Sequence, residues 1–494
     1  MVNHAAKIMI QGTMSNVGKS IITAGLCRIF TQDGFSVAPF KSQNMALNSY
    51  ITRDGGEMGR AQVVQAEACG IEPSVSMNPV LLKPISDQGS QVIVNGQART
   101  VMSAREYFAT RIKLLPEIME AYNSLASVHD IIVIEGAGSP AEINLRRDDI
   151  VNMGLATRLD SPVLLVGDID RGGVFAQLVG TCALLPDDER ELIQGLIINK
   201  FRGDVSLLSD GLLELEGLTG KPVLGVVPYL DMDIDDEDSL AERLTKHTAS
   251  PGCDIAIIRL PRVSNFSDFT ALGATSEVSV RYVDSPQELG SPDVLIIPGT
   301  RTTIPDLAWL RDRSLDRAII THAQAGGTVL GICGGYQMLG DLISDPDSVE
   351  SGGCVPGLGL LPVTTVFRTA KQQTRVSGTI LQTQGPLEPM SGTEVIGYEI
   401  HMGESTLDQG AQPWIQLDNG TFDGCWQSTV YGTYLHGLFD TTSSRTALLR
   451  ALNLECSAPM DYSAYKNGEY NKLAESLRDS LDMDRIYDIM GRSR

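Results

Sequence analysis

A glycine-rich segment at residues 12–20, Gly-Thr-Met-Ser-Asn-Val-Gly-Lys-Ser, combines a flexible backbone with a lysine and a hydroxyl group. Between a strand and a helix, such a loop aims main-chain N–H groups at an anion, and the helix dipole adds to the attraction. Lys19 would reach the outer phosphates of a nucleotide and Ser20 would bind Mg²⁺. The residues predicted to bind the nucleotide are Gly12, Thr13, Asn16, Gly18, Lys19 and Ser20.

Two more polar residues follow apolar runs of the strand type. Glu135 comes directly after the run 131–134, and Asn199 comes after 196–198. Parallel sheets bind ligands at the carboxyl ends of their strands. We therefore expect Glu135 to be a second Mg²⁺ ligand and Asn199 to contact the nucleotide base. The residues after Asn199 do not complete the Asn-Lys-x-Asp pattern that recognises guanine, which favours ATP.

A cysteine flanked by glycines stands at a second turn between an apolar run and a helical segment, Gly-Ile-Cys333-Gly-Gly-Tyr-Gln. This pattern is typical of a nucleophile elbow, which exposes the reactive atom above a sheet. The N–H groups of Gly334 and of Gly299 are the predicted oxyanion donors. A thiol nucleophile needs a base, and among six histidines His436 fits best. The sequence thus predicts a Cys333–His436 pair.

Short apolar runs rich in β-branched residues alternate with helical segments in both halves of the chain. The runs predicted to be parallel strands are 7–10, 131–134, 163–166, 196–198 and 223–227, and then 255–258, 278–280, 294–297 and 328–330. We expect antiparallel strands at 364–367, 379–381 and 394–398. The pattern predicts an α/β protein with two doubly wound, mainly parallel sheets, in domains 1–235 and 250–445, followed by a helical tail at 446–494.

The composition of the chain disfavours several classes of protein. The formal net charge is -22, which disfavours a broad nucleic-acid interface. No apolar run approaches the roughly 20 residues that span a bilayer, and no signal peptide is recognisable. The eight cysteines contain no Cys-x-x-Cys pair, which favours a reducing cytoplasm over a zinc or disulfide scaffold. We infer no obligate protein partner.

Both motifs resemble known enzymes. Five residues rather than four separate Gly12 from Gly18, which resembles the loop of dethiobiotin synthetase, a P-loop enzyme that phosphorylates a carboxyl-type group. The cysteine motif resembles that of class I glutamine amidotransferases. In those enzymes a glutamate follows the histidine by two positions, whereas Leu438 stands there in this chain. The acid that would orient His436 is therefore left unassigned.

The pairing of these two motifs resembles the cobyrinate amide-synthase family, as do the segments 43–49, 55–62, 135–145 and 168–175. The resemblance implies ATP- and glutamine-dependent amidation of the b, d, e and g carboxylates of adenosylcobyrinic a,c-diamide, in cobalamin biosynthesis. Its substrates would be that corrinoid, L-glutamine and ATP, with Mg²⁺ as the metal. Basic residues that could meet the polyanionic corrinoid are Lys41, Arg60, Lys83, Arg146, Arg147 and Arg171.

Three alternatives remain open at the level of sequence. The a,c-diamide synthase of the same family differs in which carboxylates it amidates, and the segments 43–49 and 55–62 disfavour it by resemblance. A P-loop switch ATPase with an inert second domain would carry an extra lysine where Thr13 and Met14 stand. If the chain were a stand-alone cysteine hydrolase, the phosphate-binding motif at residues 12–20 would have no explanation.

Overall fold

The computed structural model describes residues 5–86, 89–234, 252–454 and 460–493. The chain forms two compact units, which we call the first unit (1–46, 56–234 and 466–494) and the second unit (47–55 and 235–465). The boundary residues 235 and 250 drawn from the sequence lie outside the described residues, and those boundaries stay predictions. The contacts assign most of the C-terminal helical segment to the first unit and residues 47–55 to the second.

A six-stranded, fully parallel sheet forms the centre of the first unit. Its strands, from edge to edge, are Val223–Pro228, Ile193–Phe201, Val163–Asp168, Ala6–Gly12, Ile131–Glu135 and Val37–Phe40. Ile8, Val133 and Ile197 are completely buried, as expected for strands covered on both faces. Strand order changes direction at Ala6–Gly12, the kind of point where doubly wound sheets bind ligands.

Helices and a smaller sheet surround this centre. The helices are Lys19–Gln32, Arg60–Ala68, Ala104–Thr110, Leu115–Ala126, Met153–Leu159, Val174–Leu184, Asp187–Leu192 and Ser209–Thr219. The second sheet contains Gln43–Met45, Val80–Ser86, Gly89–Val94 and Gln97–Ser103. Across the described residues, we find no helix with the length and apolarity needed to cross a membrane.

Two C-terminal helices, Tyr462–Ser480 and Met483–Ile489, complete the core of the first unit. Leu477 packs so closely on the helix Lys19–Gln32 that a Cβ atom at Gly25 would lie 2.2 Å from its Cδ1. Arg478 forms an ion pair with Asp33 at 2.7 Å. The end of the chain therefore stabilises the helix that follows the phosphate loop.

The second unit is built on five parallel strands that continue into antiparallel ones. The parallel strands are Val278–Val283, Cys253–Ile258, Val294–Ile297, Thr328–Ile332 and Val430–Thr433. The remaining strands of the sheet are Phe422–Gln427, Gln412–Leu417, Val363–Ile380, Glu394–Leu407, Leu342–Asp345 and Gly353–Pro356. The helices are Thr270–Gly273, Pro286–Leu289, Thr303–Asp312, Leu315–Gln324, Gly334–Leu339 and Thr442–Ala451.

The fold class predicted from the sequence is confirmed: both units are α/β with parallel strands at their centres. One detail was wrong. The runs 364–367 and 379–381 were predicted as separate strands, but 364–367 and 379–380 belong to the single strand Val363–Ile380, which ends one residue before Leu381. The register of this long strand shifts between Phe367 and Gln372. The strand pairs with Glu394–Leu407 both before and after this shift.

Candidate active sites

The phosphate loop connects the central strand of the first unit to the helix Lys19–Gln32. Gly18 has a φ of 97°, in the left-handed region that glycine adopts without steric cost. Asn16 is also left-handed, with a φ of 61°. The N–H of Thr13 donates to Val166 O at 2.9 Å, which ties the start of the loop to the neighbouring strand. The loop thus has the bends that a backbone wrapped around an anion requires.

Lys19 and Ser20 lie at the first turn of that helix. The ammonium of Lys19 donates to Met14 O and Gly138 O, both at 3.1 Å, so it lies over the loop. Ser20 Oγ donates to Glu135 Oε1 at 2.8 Å. The structure therefore brings together the two residues that the sequence predicted as metal ligands.

Glu135 is buried at the carboxyl end of its strand. Lys41 Nζ lies 2.8 Å from its Oε1, and Gln65 Nε2 donates to its Oε2 at 2.5 Å. Hard oxygen donors such as Ser20 Oγ and Glu135 fit Mg²⁺, which usually keeps waters and nucleotide phosphates as its other ligands. Lys41, which the sequence suggested for corrinoid binding, is part of this cluster, and its contact with the corrinoid stays a prediction.

Asn199 lies beside the loop. Its Nδ2 donates to Val17 O at 2.7 Å, so its side chain holds the loop backbone, and its predicted contact with the base stays a prediction. The next residue, Lys200, donates to Asn16 O at 2.6 Å. Lys200 occupies the lysine position of the Asn-Lys-x-Asp pattern, and because that pattern is incomplete in this chain, the sequence did not single Lys200 out.

Cys333 occupies a sharp turn between the strand Thr328–Ile332 and the helix Gly334–Leu339. Its φ of 52° and ψ of -109° are unusual for a residue with a side chain, and such strain is typical of a nucleophile elbow. A Cβ atom at Gly335 would lie 1.9 Å from Ile297 O, so only glycine fits there. The thiol lies 3.6 Å from Ile400 O.

His436 has an acidic partner. Its Nδ1 lies 2.7 Å from Asp268 Oδ2, and the N–H of Gly437 donates to Asp268 Oδ1 at 3.0 Å. Burial lowers the pKa of His436, but Asp268 and then the Cys333 thiol more than offset this and raise it to about 10. Nε2 makes no hydrogen bond with any described residue. It is therefore available to exchange a proton with the Cys333 thiol and with a bound substrate.

Asp268 is the candidate site residue that the sequence did not indicate. It lies in the 3-10 helix Phe266–Phe269, far from His436 along the chain, and no spacing rule connects the two. Leu438, where a glutamate was expected, is buried in the apolar core instead. Asp268 is itself buried, so the Asp268–His436 pair is shielded from solvent.

The loop that contains Gly299 lies against the elbow. A Cβ atom at Gly334 would lie 3.1 Å from the main-chain nitrogen of Thr300. One at Gly299 would lie 3.1 Å from His436 Cε1. The predicted oxyanion donors, Gly299 and Gly334, are therefore close to the catalytic pair, and their role stays a prediction.

The other basic candidates differ in their surroundings. Lys83 is buried and lies 2.8 Å from Glu57 Oε1, and Arg60 is also buried. Arg146 lies 3.1 Å from Glu189 Oε2, whereas the side chain of Arg147 is 95% exposed. Arg171 is exposed as well. Lys41 and Lys83 are thus each paired with a glutamate, while the two exposed arginines stay candidates for contact with a large anion.

Comparison with known proteins gives matches to both units. A family model described as a CobQ/CobB/MinD/ParA nucleotide-binding domain matches residues 8–239. A second model, described as a CobB/CobQ-like glutamine amidotransferase domain, matches residues 254–444.

Full-length relatives match almost the whole chain. A cobyric acid synthase from Ruminiclostridium cellulolyticum is 54% identical over 98% of this chain and 97% of the relative. One from Citrobacter koseri is 51% identical over 99% of both chains. One from Clostridium acetobutylicum is 50% identical over 98% of this chain and 99% of the relative.

Proposed function

Because this chain belongs to the cobyric acid synthase family, we infer that it amidates the b, d, e and g carboxylates of adenosylcobyrinic a,c-diamide with ATP and glutamine. It is thus an ATP-dependent, glutamine-hydrolysing amide synthase. The observation that carries the proposal is the presence in one chain of a phosphate loop with Ser20 beside Glu135 and of a Cys333 elbow with the buried Asp268–His436 pair.

The second unit has the groups needed to release ammonia. Cys333 Sγ attacks the side-chain amide carbon of glutamine, and the imidazolium of His436 protonates the leaving ammonia. In this proposal the N–H groups of Gly299 and Gly334 stabilise the oxyanion that forms on the amide oxygen. Water then attacks the thioester with His436 as base, which releases glutamate and restores the thiol. Asp268 keeps the His436 ring oriented and stabilises its charged form.

The first unit has the groups needed to activate a carboxylate. Main-chain N–H groups of the loop, together with Lys19, hold the phosphates of ATP while the corrinoid carboxylate accepts the γ-phosphoryl group. Ser20 and Glu135 would hold Mg²⁺, which neutralises phosphate charge. Ammonia then displaces phosphate from the acyl phosphate and forms the amide. Water competes for the same intermediate, so the site must exclude it during the reaction.

We also propose that the enzyme works in the cytoplasm with small-molecule substrates only. The seven cysteines among the described residues are all free thiols, which supports a reducing compartment. The proposal that it needs neither nucleic acid nor membrane rests on its acidic composition and on its family.

Mass spectrometry of the corrinoid tests the function. Purified enzyme is incubated with adenosylcobyrinic a,c-diamide, ATP, Mg²⁺ and glutamine, and four successive amidations are expected. Failure to amidate this substrate would contradict the assignment. If the a,c-diamide forms from cobyrinic acid instead, the chain is the a,c-diamide synthase.

Cys333→Ala separates the two half-reactions. The variant should lose amidation from glutamine and keep it from ammonium, because the thiol is needed only to release ammonia. Amidation by this variant from glutamine would remove Cys333 from the mechanism. Loss of both activities, with the fold intact, would contradict the division of chemistry between the units.

A further inference from the structure

The carbonyl groups of the phosphate loop need donors on its outer side. When the N–H groups of a loop converge on a phosphate, the carbonyls of the same peptides point away from it. At the buried Val17 a carbonyl without a donor would be costly, whereas at the exposed Asn16 a donor serves to orient the peptide. Here Val17 O accepts from Asn199 and Asn16 O accepts from Lys200 Nζ, at 2.7 and 2.6 Å. Two consecutive side chains of one strand therefore orient two consecutive loop peptides, those that carry the N–H groups of Val17 and Gly18.

Lys200 is itself held in place. Its Nζ lies 2.8 Å from Oδ2 of Asp168, which is buried at the end of the neighbouring strand. Asp168 Oδ1 accepts from the N–H of Asp170 at 2.9 Å. The ammonium thus bridges a fixed carboxylate and the apex of the loop. This arrangement uses a charge-assisted hydrogen bond on each side of the lysine.

The backbone of Lys200 is strained. Its φ is 63°, a left-handed conformation that costs a residue with a side chain about 1 kcal/mol or more. Strain of this kind persists where the surroundings require it, commonly at functional sites. The loop has one residue more than the usual spacing between Gly12 and Gly18, so it has an additional peptide to orient.

We propose that Lys200 is a positioning residue for the triphosphate of ATP: it turns the peptide between Asn16 and Val17 so that the N–H of Val17 faces the phosphates. The role is indirect, through the loop, and it rests on the proposed use of ATP by the first unit. Asp168 acts with Lys200, because the carboxylate fixes the ammonium from the other side.

Binding of ATP, ADP and adenosine to the full chain tests the proposal by calorimetry. Lys200→Met should weaken ATP and ADP binding by about tenfold, the size expected for losing a charge-assisted hydrogen bond. Adenosine, which has no phosphates, should bind as it does to the wild type. Lys200→Arg should restore most of the ATP affinity. Lys221→Met, a change at a half-buried lysine near Cys182 and Arg190, is the control and should leave all three affinities unchanged.

Three results would overturn this role. They are an unchanged ATP affinity in Lys200→Met, an equal loss of adenosine affinity, and additive losses in the Lys200→Met and Asp168→Asn double variant. Because the two residues act as one unit, the double variant should lose no more than Lys200→Met alone. If Lys200→Met does not fold, the comparison of Asp168→Asn and Lys200→Arg with the wild type decides the question by the same criteria. A wild-type chain that binds no ATP would contradict the proposed function and with it this role.

Discussion

In the first unit the main chemical groups lie in one continuous segment, residues 12–20, joined by Glu135 from the adjacent strand. In the second unit Asp268, Cys333 and His436 come from separate elements of the fold. The difference follows from what each site must do. Consecutive main-chain N–H groups of one loop can converge on the phosphates of a nucleotide, whereas proton transfer needs side chains that can come from separate parts of the fold.

Several carboxyl groups of the second unit carry a cost of burial. In the second unit burial raises the pKa of several carboxyl groups, Asp306, Glu350, Glu399 and Asp423. In the first unit, hydrogen bonds from Ser103 and Ser206 lower the pKa of the exposed Glu106 and Asp204. Lowering the pH towards 5 should therefore relieve a desolvation cost in the second unit.

Lys19→Ala is the most direct test of whether the two units carry out separate reactions. Amidation should fall by roughly 10³-fold with either glutamine or ammonium, because the phosphates of ATP lose the cation that stabilises them. Basal release of glutamate from glutamine should continue. The measurement is corrinoid mass spectrometry beside a glutamate assay, with Lys221→Met as the matched control. Equal loss of both reactions would mean that the chemistry is not divided between the units.

Leu477→Ala should destabilise the first unit by about 3 kcal/mol, because it leaves a cavity against the helix Lys19–Gln32. Hydrogen exchange should speed up in the strands Ala6–Gly12 and Ile131–Glu135 and stay unchanged in Thr328–Ile332. Leu213→Ala, at a side chain that is 68% exposed, is the control. Faster exchange in both units would show that their stabilities are coupled.

Asp268→Asn should lower kcat for glutamine hydrolysis by about 100-fold and leave ammonium-dependent amidation intact. Asp268 raises the pKa of His436, so its removal lowers that pKa and moves the alkaline limb of the pH–rate profile to lower pH. Asp418→Asn, at an exposed site on the same unit, should do neither. An unchanged profile in Asp268→Asn would remove this carboxylate from the mechanism.

Glu399→Gln should flatten the dependence of the second unit's stability on pH. Burial and Asp423 raise the pKa of Glu399 from 4.5 to about 7, against the effect of His436. Since the folded state binds this proton more tightly, the contribution of Glu399 to stability is fully present below pH 4.5 and is lost as pH rises through about 7. The substitution should reduce this fall by roughly 2 kcal/mol, measured by urea unfolding at pH 5 and pH 8. Glu404→Gln, exposed on the same strand, should leave it unchanged.

The sequence predicted the parts of the molecule that depend on local patterns. The β-branched runs became the central strands, and the segment after the glycine-rich loop became the helix Lys19–Gln32. Residue types and placement also indicated Ser20 with Glu135, which the structure brings within 2.8 Å. The features that the sequence did not predict depend on tertiary packing. Asp268 has no local signal, and the length of Val363–Ile380 depends on its partner strand.

The packing of the last helices on the helix Lys19–Gln32 has a consequence for biosynthesis of the chain. A ribosome delivers residues 466–494 only after every residue of the second unit has been made, and domains fold as units while the chain emerges. The first unit therefore starts earliest and finishes last. A chain that stops early would contain the thiol and its histidine but lack the side chains that cover Gly25. We expect such a fragment to be unable to consume ATP, so that incomplete synthesis does not drain the nucleotide pool.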